Sequence, residues 1–276
     1  INKNIKIGII GAGYMAEEYL KVLSKKKVWC EAIYSRTLSK CEQLRKKYKI
    51  KKVYKDFNEL KNLQALIIAI NDTSTLSILK KLDLSKYKIL CEKPVGVSFN
   101  ETEKVFSIIK KKKSKFFVGL NRRFYNITIK ATNLVKQGFG KRIIHIQDQQ
   151  MQNTNKPFVN KNIMYCNSVH LIDYVRIFAR GELVKLSKIK NIKNNTFSQN
   201  ITRLIFSSKD EVLYSCNWNS PGAWSVNIIQ NNQRCEMSPL ENLMFEKLVY
   251  NKRKRLNFKK SKIDNDFKPG IYFQVN

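Results

Sequence analysis

The sequence predicts an α/β fold: a doubly wound parallel sheet, then a second domain of α+β type built on an antiparallel sheet. Three observations predict it. Over the first 120 residues, short apolar runs alternate with stretches of helical period. A glycine turn joins the first apolar run to the first helical stretch. After about residue 140 the alternation stops, and strand-like runs follow one another across short polar turns.

The first domain reads as strands over Ile5–Ile10, Val28–Tyr34, Ala65–Ile70, Ile89–Cys91 and Phe116–Leu120. Helices fall between them at Tyr14–Ser24, Leu38–Tyr48, Thr75–Leu82 and Asn100–Lys112. The runs IGII, ALIIAI and FFVGL are apolar without interruption, the pattern of strands buried on both faces. Alternation with helices implies right-handed βαβ crossovers and a parallel sheet. In the second domain a helix is expected at Asn167–Phe178, followed by strands at Glu182–Ile189, Ile201–Ser207, Glu211–Trp218 and Trp224–Ile229. Turns such as Ser208-Lys209-Asp210 and Ser220-Pro221-Gly222 suit hairpins. The boundary falls near Asn121, giving domains of residues 1–120 and 121–276 without a flexible linker.

Composition narrows the function. The chain carries 53 Lys+Arg against 21 Asp+Glu, a net charge of +32, but 43% apolar residues exclude a disordered polyelectrolyte. Such charge first suggests a nucleic acid or an anionic membrane as partner. Of the 53 basic residues, however, 42 are Lys, spread from Lys3 to Lys268, and only 11 are Arg. Readers of bases and phosphates favour the planar fork of Arg. The charge therefore reads as a solvated coat, and neither a nucleic-acid nor a membrane partner is expected. The apolar run Ala65–Ile70 is far too short to span a bilayer. The basic N-terminus resembles a leader peptide, yet its apolar run breaks at Gly8 and Gly11 with no small-residue cleavage site after it. Six cysteines without a C-x-x-C pair suggest reduced, buried thiols in a cytoplasmic protein, and no metal-ligand spacing is present.

The glycine turn is the most specific local signal. Gly11-Ala12-Gly13-Tyr14-Met15-Ala16 is G-x-G-x-x-A between a strand and a helix, the dinucleotide-binding pattern. Gly11 allows the tight turn, Gly13 the approach of a pyrophosphate, and Ala16 close packing of helix on strand. The helix N-terminus then presents N–H groups to phosphate. An NAD site wants an acidic residue where the second strand ends. Here Glu31 comes too early, and the strand ends in Ser35, Arg36 and Thr37. A hydroxyl and a guanidinium suit a 2′-phosphate, which favours NADP over NAD. The alternative is that Arg36 stacks on adenine and either cofactor binds.

With these features stand Cys91-Glu92-Lys93-Pro94 at the end of the strand Ile89–Cys91, Gly119-Leu-Asn-Arg-Arg-Phe124, and Asn167-Ser-Val-His-Leu-Ile-Asp173. Together they make the chain resemble the Gfo/Idh/MocA family, the glucose–fructose oxidoreductase and inositol dehydrogenase group. The resemblance implies an N-terminal Rossmann domain and a C-terminal domain with an open, largely antiparallel sheet. It also implies hydride transfer between a nicotinamide and a carbon of a small sugar, nucleotide sugar or polyol. The open sheet face would serve as the interface of a homodimer or homotetramer. Tyr14 and Met15 of the turn, Glu92 and Lys93 are placed by the resemblance at the cofactor. So are Ile70, Asn71, Thr73 and Thr75, around the end of the strand Ala65–Ile70, near the nicotinamide ribose. Asn121 and Arg123 would meet substrate hydroxyls.

Removing a hydroxyl proton as hydride leaves the same carbon requires a base of near-neutral pKa. Of the two histidines, His145 sits in a strand-like run, and His170 matches the family's catalytic histidine. Lys93 lies at the C-terminal end of a parallel strand, where open α/β sheets bind ligands. It is assigned to the reacting oxygen, with Pro94 fixing its backbone and Glu92 orienting its ammonium. One departure stands out: many family members carry Asp four residues before the histidine, and this chain has Cys166. A thiol is a weak hydrogen-bond partner. Asn167 would take over substrate contact, and Asp173 either holds the imidazole or packs the helix. The same departure motivates an alternative, a weakened dinucleotide-binding relative acting as a sensor or partner protein.

Overall fold

Uninterrupted apolar runs fold here into strands buried on both faces. The computed structural model describes residues 5–56, 59–70, 74–151, 155, 157–193 and 198–276. In it β1 (Ile7–Ile10) is buried at all four positions. The remaining strands of the first sheet are β2 (Cys30–Tyr34), β3 (Lys52–Tyr54), β4 (Ala65–Ile68), β5 (Lys88–Glu92) and β6 (Lys115–Gly119). They pair in parallel in the order β3-β2-β1-β4-β5-β6. Chain order reverses at β1, so a crevice opens beyond its C-terminal end, where doubly wound sheets bind ligands.

Helices α1 (Tyr14–Lys25), α2 (Leu38–Tyr48), α3 (Thr75–Lys81) and α4 (Phe99–Lys111) supply the crossovers. The start of α4 is set locally: Ser98 Oγ accepts from the Glu101 N–H at 3.2 Å, and Glu101 Oε2 accepts from the Val97 N–H at 2.9 Å. Two apolar clusters pack the sheet. Tyr19, Leu20 and Leu23 of α1 join Ile7 and Ile9 in one, and Leu66, Ile68, Leu79 and Val105 join Ile10 in the other.

The second unit holds α5 (Asn126–Lys136), β7 (Ile143–Gln150), α6 (Pro157–Lys161), α7 (Val169–Phe178) and seven further strands. These are β8 (Leu183–Lys193), β9 (Ser198–Phe206), β10 (Glu211–Trp218), β11 (Ser225–Gln230), β12 (Gln233–Met237), β13 (Leu243–Val249) and β14 (Lys252–Phe258). Their order is β14-β13-β12-β11-β7-β10-β9-β8, antiparallel except for the parallel pair β7–β10. Period-2 alternation decides the faces: Ile144 and Ile146 pack with Leu171, Tyr174 and Phe178 of α7, whereas Ile143, His145 and Gln147 point outward and are exposed. The chain closes with α8 (Lys262–Asp266) and α9 (Ile271–Gln274).

Chain and unit do not coincide as a simple cut near residue 121. The first unit comprises Ile1–Asn121 with Met164–Cys166 and Asp266–Asn276, and the second Arg122–Ile163 with Asn167–Asn265. Burial explains the return of the C-terminus, since Ile271 is fully enclosed in the cluster around α1. All six cysteines are buried and none forms a disulfide, and burial pushes the Cys30 and Cys235 thiols up to about 12. No helix among the described residues is long and apolar enough to cross a membrane, and no cluster among them could hold a metal ion.

Candidate functional site

The glycine turn closes β1 and opens α1, and it is tied down on both sides. The Gly11 N–H donates to the Tyr34 carbonyl at 2.7 Å, and the Ala69 N–H donates to the Ile10 carbonyl at 2.8 Å. Gly11 has φ +114°, and a Cβ there would stand 2.0 Å from the Ala69 carbonyl oxygen. Only glycine fits. Gly13 differs: its backbone is ordinary, and a Cβ would meet nothing within 4 Å. That open space lies over the N-terminus of a twelve-residue helix, a cradle suited to a pyrophosphate.

Beside the turn lies a cavity of about 430 Å³. Gly11, Ala12, Gly13, Ser35, Arg36, Thr37 and Ile70 line it, together with Lys40, Ser77 and Lys81, which sequence reasoning did not single out. Among the described residues, three cations and no carboxylate line this cavity. Glu31, the acid on β2, pairs instead with Lys51 at 2.9 Å. Tyr14 and Met15 turn elsewhere: Lys268 Nζ lies 4.8 Å over the Tyr14 ring and 3.1 Å from Met15 Sδ. Thr75 is buried at the start of α3. Asn71 and Thr73 lie outside the described residues.

Lys93 follows β5, and its peptide bond to Pro94 is cis. Its ammonium donates to the main-chain carbonyl of Cys166. That carbonyl belongs to a π-helical turn, Met164–Ser168, where the sequence suggested the helix already under way at Asn167. The contact explains how Cys can stand at this position, because a main-chain carbonyl is available from any residue. Glu92 Oε1 accepts from the Tyr19 hydroxyl. Burial raises the Glu92 carboxyl, while Tyr19, Lys93 and Lys268 pull it partly back. Burial and the neighbouring carboxylate together push the Tyr19 hydroxyl well above its ordinary range.

Asn121 and Arg123 also find protein partners instead of open space. Asn121 Nδ2 donates to the Pro269 carbonyl at 2.8 Å within the first unit. In the second unit Arg123 grips Asp173 with two hydrogen bonds, one from Nε at 2.9 Å. Hydrogen bonding to Asp173 raises the Arg123 guanidinium further. Asp173 thus serves the packing of α7. His170 is buried on α7, and Asn167 is half-buried one turn earlier. Trp224 stands beside the imidazole, with ring centroids 6.4 Å apart. Arg122 covers that indole at 4.3 Å. Neither Arg122 nor Trp224 carries a local sequence signal, since their meeting joins segments about a hundred residues apart.

The strand order, the glycine turn and the cationic cavity define a dinucleotide-binding Rossmann domain. Residues 5–120 match the model of the oxidoreductase family with an NAD-binding Rossmann fold, Gfo/Idh/MocA, so the first domain is similar to that family's. An uncharacterized oxidoreductase, YrbE of Bacillus subtilis, is 24% identical over 208 residues, 72% of this chain and 61% of that protein. Myo-inositol 2-dehydrogenase of Thermotoga maritima is 25% identical over 140 residues, 49% of this chain and 41% of that protein. The chain thus spans less than two thirds of the length of either relative. Among solved structures, a putative NADPH-dependent oxidoreductase of Desulfitobacterium hafniense superposes with a TM-score of 0.80 at 17% identity, covering 100% of this chain and 86% of that one. The shared fold therefore includes both units.

Proposed function

We propose that the protein is an NAD(P)-dependent oxidoreductase acting on a hydroxyl or keto carbon of a sugar, nucleotide sugar or polyol. The observation that carries this reading is the cavity at the glycine turn, with Gly13 opening the α1 N-terminus and Arg36, Lys40 and Lys81 on its wall. The turn would hold the pyrophosphate. The three cations Arg36, Lys40 and Lys81 on the described wall favour a 2′-phosphate and hence NADP. When bound, the nicotinamide supplies or accepts the hydride. Lys93 donates a hydrogen bond to the reacting oxygen and lowers the pKa of the hydroxyl, and His170 takes its proton. The carbonyl of Cys166 positions the Lys93 ammonium.

The name of the Thermotoga relative supports a polyol-like substrate class. The sensor reading has less support, because the contact at position 166 runs through the main chain and survives the change to Cys. We further propose a cytoplasmic protein assembling through the outer face of its second sheet. Separate titrations of NADH and NADPH test the cofactor, followed by sugars and polyols added to the tighter complex. NADPH should bind more tightly, and Arg36→Ala should weaken it on the order of tenfold or more while sparing NADH. Equal affinities that Arg36→Ala leaves unchanged overturn the NADP assignment. With a turned-over substrate, Lys93→Ala and His170→Ala should each abolish measurable hydride transfer, and unchanged rates overturn the assigned roles.

A further inference from the structure

Arg122 is held at its root and open at its tip. Its carbonyl accepts from the Thr128 hydroxyl at 2.9 Å and from the Tyr174 hydroxyl at 3.2 Å, which fixes the backbone to α5 and α7. Its guanidinium lies over the Trp224 indole, and the same indole faces His170 at a 51° tilt. The side chain is only 25% exposed. Glu241, its ion-pair partner among the described residues, stands 3.8 Å from Nη1, beyond hydrogen-bond reach. A guanidinium that stacks on an aromatic face keeps its five N–H donors in its own plane, pointing sideways in the fork that matches carboxylate or phosphate.

We infer that Arg122 and Trp224 are specificity-determining residues that select a sugar bearing an oxyanion. The carboxylate or phosphate group takes the edge of the Arg122 guanidinium, and the sugar ring lies along the indole toward His170. This rests on the reading of His170 given above and names the substrate class that reading leaves open. Glu241 competes with the ligand for the same cation, so its charge weakens the binding without filling the donors.

The test is calorimetric binding to the NADPH-loaded enzyme, with hydride transfer followed separately by nicotinamide absorbance. The ligands are a neutral hexose, its hexuronate, its 6-phosphate and its nucleoside diphosphate ester. At least one oxyanion-bearing member should bind on the order of 10- to 100-fold more tightly than the neutral hexose. Whether the uronate or the phosphate arms lead identifies the source of the oxyanion. Arg122→Gln should erase the preference, and Arg122→Lys, which keeps charge but not the planar fork, should restore only part of it. Glu241→Gln should tighten the preferred ligand several-fold. The inference is overturned by equal binding of neutral and anionic sugars, by a preference that Arg122→Gln retains, or by no binding of any anionic sugar. Oxyanion binding through Arg122 with no hydride transfer sinks the dehydrogenase reading alone. Turnover of neutral sugars with indifference to Arg122→Gln sinks this inference alone.

Discussion

Positions 11 and 13 carry the same residue for different physical reasons. At Gly11 both the positive φ and the Ala69 carbonyl forbid a side chain, so the requirement is internal to the fold. At Gly13 the protein itself makes no such demand, and the requirement comes from what approaches the helix N-terminus. Gly11→Ala should therefore destabilise the protein by about 2 kcal/mol or more, read as a lowered denaturation midpoint. Gly13→Ala should leave that midpoint nearly unchanged and weaken dinucleotide binding on the order of tenfold or more. Equal stability losses in the two variants would refute the distinction. Both glycines were legible in the sequence because their roles are local. The bond from Tyr19 to Glu92 was not, because it joins residues 73 apart across the α1–β5 packing. Asn121 and Arg123 were likewise read as open to substrate, and only the fold reveals Pro269 and Asp173 as their partners.

Elements were legible in proportion to how strongly their pattern repeats. The helix Leu38–Tyr48 and the strand Glu211–Trp218 lie where periodicity puts them. The three-residue β3 is too short to show a period, and the Lys- and Arg-rich β14 does not alternate because it is exposed along almost its whole length. The turn between β9 and β10 illustrates an element fixed by chemistry rather than by pattern. Asp210, fully buried, accepts from Arg180 Nε at 2.9 Å and Nη2 at 2.7 Å, and from the main-chain N–H groups of Arg142 and Arg180 at 2.8 and 2.9 Å. Burial pushes its carboxyl upward, but these donors outweigh burial and hold it below the ordinary aspartate value of 3.8. A carboxyl depressed in the folded state contributes stability that is complete above the unfolded pKa and fades as pH falls through the folded one. Asp210→Asn should cost about 3 kcal/mol at neutral pH. Its deficit relative to the unmodified protein should shrink as pH is lowered below about 4, as denaturant unfolding across pH would show. A pH-independent deficit would mean that the charge of Asp210 contributes nothing.

For the whole molecule, the charge and the exposed sheet act against each other. Strand β8 ends the second sheet, and Leu183, Val184, Leu186 and Ile189 along it are each about half exposed or more. A long apolar edge invites pairing with a second copy unless it is guarded. Lys185, Lys188 and Lys190 interleave with those residues. They act either as guards that keep the chain monomeric or as the charged margin of an interface. The net charge of +32 sharpens the choice, because two copies brought together repel each other at low ionic strength. If burial of the apolar edge drives association, screening that repulsion should strengthen it, and light scattering should show the oligomer gaining population as salt rises from about 20 mM to about 300 mM, over which the Debye length falls severalfold. Ion pairs holding the interface would give the opposite trend. Leu186→Lys with Ile189→Lys should return the protein to monomer at every salt concentration while leaving dinucleotide binding intact, because the cofactor cavity lies entirely within the first unit. A monomer at all salt concentrations in the unmodified protein would instead assign the three lysines to guarding the edge.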